Sequence, residues 1–244
     1  MLDFLMNNWS VILFYLIIIC LLVKHRKKLE VHGKIVFLYK TQLGIKLMAK
    51  VAKKYNRSIK LLSRIGVYVG FAGMALILFF LMKSFVDLMF NPSAPAAMSL
   101  VIPGVKIPGS AIFVPFWYGI ISLFFVIVVH EFAHGVVSKA YKIRVKSSGL
   151  GLFAIIPLAF VEPDEESLAK KDTKVRNSMF AAGPFANVLL AILALSILLF
   201  AVNPVLSGMT EEKGVFLQPE PGKPTYLSGM INTTLITSFN DVEI

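Results

Sequence analysis

The sequence predicts a membrane protein of mainly α-helical fold with about four transmembrane helices. Three observations predict it. Apolar residues make up 57% of the 244 residues and charged residues 16%, against about 45–50% and about 25% in a soluble domain. The apolar excess gathers into four runs, at about 2–23, 66–82 with an extension to 90, 116–141 and 179–202, and about 20 helical residues cross a bilayer. Of the 25 Lys and Arg, 21 fall in two stretches, 24–64 and 139–176, which four spans place on the same side.

The same composition excludes several classes. A disordered chain lacks this apolar content. A disulfide scaffold needs more than the single Cys20. The net charge of +11 reads as topology and headgroup contact with the lipid bilayer rather than nucleic-acid binding, because the basic stretches sit between spans. By the positive-inside rule those stretches are cytoplasmic. The chain is then a multi-pass membrane protein, with its N-terminus and the segment after Val202 extracytoplasmic.

Taken in order, the first run is an uncleaved anchor. No Lys or Arg precedes it, and Lys24, Arg26, Lys27 and Lys28 follow it, the reverse of a signal peptide's charge order. Residues 33–65 interleave basic and apolar positions and predict one or two interfacial helices. The outer loop, 91–115, carries Pro92, Pro95, Pro103, Pro108 and Pro115, and so many prolines predict no helix. Residues 149–161 are apolar but too short to span, and Gly and Pro make them a poor helix. They predict a short re-entrant β-hairpin, since irregular or extended backbone enters a membrane only under protein cover. A strand edge there can pair with an unwound substrate. Glu162, Asp164, Glu165 and Glu166 read as a solvated acidic face. These segments give three parts: 1–65 as anchor and basic segment, 66–205 as membrane core, and 206–244 as an extracytoplasmic tail.

The chemistry concentrates in His130-Glu131-Phe132-Ala133-His134. A spacing of four puts both imidazoles on one helical face, one turn apart. Two such nitrogens can bind one tetrahedral zinc, and the intervening Glu131 can accept a proton from water. Thirteen residues separate Trp117 from His130, so the motif lies about 20 Å into a core about 30 Å thick. Ionisable groups at that depth are functional by default. The fourth run opens with Ala182-Gly183-Pro184-Phe185-Ala186-Asn187. Asn187 inside a span needs a partner, and it either donates to a substrate carbonyl or bonds a neighbouring helix.

Together these residues resemble the site-2 protease family of intramembrane zinc metalloproteases. The resemblance is carried by His130-Glu131-Phe132-Ala133-His134, by Gly149-Leu150-Gly151 leading to Phe160-Val161-Glu162, and by Gly183-Pro184 followed by Asn187. It implies cleavage of membrane-spanning protein substrates, with His130 and His134 as zinc ligands and Glu131 as the catalytic base. Asn187, Gly149 and Gly151 are its candidate substrate-binding residues. It also implies a third ligand, an Asp in a Leu-Asp-Gly motif. The Asp residues here are Asp3, Asp87, Asp164, Asp172 and Asp241, none in that context. The tail, with Gly214-Val215-Phe216-Leu217 and residues 222–230 and 236–244, looks like the start of an extracytoplasmic PDZ-like β domain. The expectation is therefore the N-terminal part of a longer protease. The alternative is a non-catalytic membrane scaffold; a metal transporter is disfavoured, because only one helix bears the histidines.

Overall fold

The computed structural model describes residues 2–25, 29–32, 36–91, 101–107, 112–153 and 156–209, together with four two-residue strands beyond. Residues Met1–Leu190 form one compact unit and Ala191–Ile244 a second.

Within the first unit, α1 (Leu2–His25) runs to a basic last turn. There the His25 Nδ1–H donates to the Leu21 carbonyl at 3.0 Å, and a positive charge there complements the helix dipole. Strands β1 (Leu29–His32) and β2 (Val36–Thr41) follow, then α2 (Ile45–Lys54), α3 (Asn56–Phe90) and α4 (Phe116–Ala140). Strands β3 (Val145–Phe153) and β4 (Ile156–Pro163) precede the short α5 (Glu165–Ala169) and then α6 (Thr173–Ile197). Past Leu190 the chain belongs to the second unit, which carries the end of α6, a π-helical turn, Leu198–Val202, and α7 (Asn203–Met209).

Three helical stretches are long and apolar enough to cross a membrane: Asn56–Phe90, Phe116–Ala140 and Thr173–Met209. The described apolar part of α1, Trp9–His25, is shorter. The outward faces carry large apolar side chains, such as Phe71, Phe79 and Phe85 on α3 and Ile192 and Leu193 on α6. A soluble monomer rarely exposes so continuous an apolar surface.

The β-hairpin of the expectation is present, as two strands of a larger sheet. The sheet has four strands in the order β1-β2-β3-β4, every pair antiparallel. Residues 33–65 therefore correct the expectation of interfacial helices in part. Val36–Thr41 form a strand, because Val36, Phe37 and Tyr39 suit an extended backbone and Leu38 pairs opposite Gly151. Side chains bind this strand's end to β3: Thr41 Oγ1–H donates to the Ser148 carbonyl at 2.9 Å, and Gln42 Nε2–H to the Lys146 carbonyl at 3.0 Å. Gly44, at φ 80°, turns the chain into α2. That helix is amphipathic as expected, but Met48 and Ala52 are buried against Val136 and Ala140 of α4. From Asn56 onward the basic segment already belongs to α3, and Asn56 Nδ2–H donates to the Ala140 carbonyl at 3.1 Å.

Glycines let these elements approach. Any Cβ at Gly66 would meet Phe185 at 2.8 Å, where α3 packs on α6. Trp117 Nε1–H donates to Ser10 Oγ at 3.1 Å, and Phe14 stacks edge-on against Trp117 at 5.4 Å, so an aromatic cluster holds α1 to α4. Between α3 and α4 the described residues form no helix; Pro103–Gly104 turns, with Gly104 N–H donating to the Val114 carbonyl at 2.8 Å. Pro92, Pro95 and Pro108 lie outside the described residues.

In the second unit, Val215–Phe216 pairs with Leu235–Ile236, and Ser238–Phe239 with Val242–Glu243, both antiparallel. The rest of 210–244 lies outside the described residues, and the expected PDZ-like fold lies there with it.

Candidate metal centre and active site

The site begins as one turn of α4. His130 and His134 stand one above the other, with ring centroids 4.8 Å apart and Nε2 atoms 3.2 Å apart. Two nitrogens bound to one tetrahedral zinc at about 2.0–2.1 Å stand about 3.3–3.4 Å from each other. The pair is thus already spaced for a shared ion.

The other ring nitrogens decide which lone pairs are free. His134 Nδ1 lies 2.8 Å from the Met179 carbonyl on α6. A carbonyl only accepts, so Nδ1 carries the proton and Nε2 keeps its lone pair. His130 Nδ1 lies 3.1 Å from the Asn187 amide, whose Nδ2 faces it while the buried Oδ1 has no partner among the described residues. With that amide turned over, His130 Nδ1–H donates to Oδ1, and its Nε2 is free to bind a cation.

Gly183, on α6, leaves the room. A Cβ there would collide with Nε2 of both histidines, so any larger residue occupies the space in front of the two nitrogens. Spacing, tautomers and this glycine-made gap all fit zinc. Among the described residues no group of three or more His, Cys, Asp and Glu side chains gathers at one point, so the described site supplies two protein ligands.

Glu131 points to the sheet. The Val161 N–H of β4 donates to Glu131 Oε2 at 3.0 Å. Gly149 and Gly151 sit instead on β3, an interior strand. A Cβ at Gly149 would collide with the Tyr39 carbonyl of β2, and one at Gly151 would approach the Phe37 carbonyl to 2.7 Å. The structure therefore brings His130, His134, Glu131 and Asn187 together and leaves the two glycines as spacers between strands. Sequence reasoning missed three contributors. Gly183 was visible beside Pro184 and Asn187 in the motif but had no role of its own in the sequence reading. The Met179 carbonyl and the Val161 N–H are backbone groups and carry no side-chain signal.

The acidic face expected at residues 162–166 is corrected. Glu162 is only partly exposed; it accepts from Ser147 Oγ–H at 2.5 Å and pairs with Lys40 at 3.1 Å. The Ser147 hydroxyl, and then Lys40, hold its carboxyl below the usual range. Lys40 also pairs with Glu30 at 2.8 Å, tying β1, β2 and β4 together. Asp164 caps α5 through the Ser167 N–H at 3.0 Å and pairs with Lys146 at 3.1 Å. The Ser167 hydroxyl, with Lys146, lowers its carboxyl to about 2. Glu165 and Glu166 remain exposed.

A His-Glu-x-x-His turn on a helix apolar enough to span a bilayer defines the class: a membrane metallopeptidase. Residues 118–240, just over half the chain, match Peptidase family M50. The chain belongs to that family, the site-2 protease family, whose members are zinc metalloproteases. It is also similar to a protein of Methanocaldococcus jannaschii, uncharacterized protein MJ0971, with 32% identity over 201 residues. That alignment covers 80% of this chain and 53% of the relative, so the chain spans about half the length of the relative it matches. No solved structure matches the chain.

Proposed function

We propose that the chain carries the hydrolytic centre of an intramembrane zinc protease that cuts membrane-spanning proteins. The observation that carries this reading is the convergence of His130 and His134 Nε2, 3.2 Å apart, over the gap at Gly183. His130 and His134 hold the zinc, and the resemblance supplies the third ligand as an Asp of a Leu-Asp-Gly motif, which this sequence does not contain. Zinc supplies Lewis acidity toward water and the scissile carbonyl.

The chain's own residues do the rest. Glu131 accepts the proton of the attacking water as its oxygen bonds to the carbonyl carbon. It then delivers that proton to the amide nitrogen as the carbon–nitrogen bond breaks. Asn187 and the Met179 carbonyl orient the imidazoles. A substrate helix must unwind before its carbonyls are reached, and β4, an edge strand, offers backbone groups to hold the extended form. Gly149 and Gly151 support that strand by letting β2 and β3 close up. In this reading α1 is a fourth span, the basic segments face the cytoplasm, and the tail lies outside as part of a PDZ-like domain.

The test is cleavage of a single-span reporter co-reconstituted with the protein in vesicles. Cleavage that a chelator stops and zinc restores, and that His130→Ala abolishes, supports the protease. Cleavage that survives both refutes it.

A further inference from the structure

The free edge of β4 is unusual in its donors. Val161 N–H points away from β3 to Glu131, while Asp164 N–H points the other way, to the Arg144 carbonyl of the neighbouring chain segment at 2.7 Å. By the two-residue alternation of an antiparallel strand, Pro157, Ala159, Val161 and Pro163 all present their backbone to the free edge. Proline has no N–H. The edge therefore offers two donors, Ala159 and Val161, bounded on both sides by prolines. A cavity of about 570 Å³ lies beside this strand, lined by Phe160, Val161, Leu168, Met179 and Phe180 among others. That volume is within the range of ligand clefts.

One of the two donors is already engaged, and by the group proposed as the catalytic base. We propose that the Val161 N–H is a latch on Glu131 that the substrate releases. An extended substrate segment pairs with Ala159 and Val161, its carbonyl takes over the Val161 N–H, and the Glu131 carboxylate swings free to the reacting centre. The base is thus turned away from stray water until a peptide backbone lies along β4. The prolines confine the pairing to these two donors. This rests on the protease reading of the same site and adds the coupling between docking and Glu131.

The latch competes with the substrate for one N–H, so removing Glu131 must tighten docking. The probe is a labelled single-span Leu/Ala peptide with a Gly-Gly pair near its cytoplasmic end, titrated against the protein in nanodiscs with chelator present, so that nothing is cut. A hydrogen bond to a charged acceptor predicts about tenfold or more tighter binding to Glu131→Ala than to the parent, with Glu131→Gln between them. Ala159→Pro weakens binding to every form. In a Val161→Pro background the gain from Glu131→Ala vanishes, which closes a double-mutant cycle. As a measurement free of proline substitution, Val161 N–H exchange slows when the peptide binds Glu131→Ala. Equal affinity for parent and Glu131→Ala, including no binding to either, overturns the latch, as does a gain that persists with Val161→Pro. Cleavage of the same peptide by the zinc-loaded parent separates the two ideas. If it is cut while the affinities are equal, the latch alone fails; if it is never cut, the protease reading fails.

Discussion

Replacing Gly183 with Ala adds a single methyl at the centre of the site. The ideal Cβ at this position falls in hard overlap with Nε2 of both His130 and His134, and 2.5 Å from His130 Cδ2. Neither ring retreats freely: His134 is held by the Met179 carbonyl at 2.8 Å and His130 by Asn187 at 3.1 Å. The methyl therefore occupies the space a cation needs or spreads the two nitrogens beyond a shared ion's reach. Loss of a group that only orients a ligand costs about 10–100-fold in metal affinity, and a direct block sits at or beyond the upper end of that range. The assay is competition with a chromogenic chelator in detergent, alongside thermal unfolding of the metal-free protein. Gly70→Ala is the control, since a Cβ there meets nothing within 4 Å. Zinc affinity for Gly183→Ala within about threefold of the parent, with the fold intact, would refute the placement of the metal between these two nitrogens.

Two further predictions separate structure from function. Gly149→Ala forces β2 and β3 apart at the Tyr39 carbonyl and should cost about 1–3 kcal/mol of stability. Denaturation in detergent reads this, and a variant of parental stability with a raised KM would instead place Gly149 in substrate binding. The Asp164 carboxyl, lowered from 3.8 to about 2 by Ser167 and Lys146, supports the β4–α5 corner only while ionised. Its contribution is complete above about pH 4 and disappears as the pH falls toward 2. Protection of the Ser167 N–H relative to its intrinsic exchange rate should fall over that interval, and Asp164→Ala should remove the pH step; a step unchanged in the variant would contradict the assignment.

Much of this fold is written in hydropathy. The helices at Phe116–Ala140 and Thr173–Met209 follow from uncharged runs too long for anything else, and the His-Glu-x-x-His spacing fixes its own geometry on a helix. Residues 33–65 were harder, because basic and apolar residues interleave through the whole segment and nothing local marks Val36–Thr41 off as a strand. Only the pairing of Leu38 with Gly151, more than a hundred residues away in sequence, decides it. At the motif glycines the structure adds a packing reason that the sequence does not show: a neighbouring strand's carbonyls lie where a Cβ at Gly149 or Gly151 would be. Glu162 read as solvated because a charged run usually is, yet Lys40 and Ser147 reach it from two other strands. The Val161 N–H and Met179 carbonyl were invisible for a simpler reason, since every residue has such groups and only tertiary structure aims them.

The central claim is that Glu131 moves the proton while the histidines hold the metal. Glu131→Gln keeps the side chain's size and an oxygen for the Val161 N–H, and it leaves His130 and His134 untouched. The measurement is the cleavage rate of a single-span reporter by parent and Glu131→Gln proteins with zinc content determined on the same samples. The account predicts equal zinc and a rate lower by about 10²–10⁴-fold. Cleavage at the parent's rate with equal zinc would contradict it.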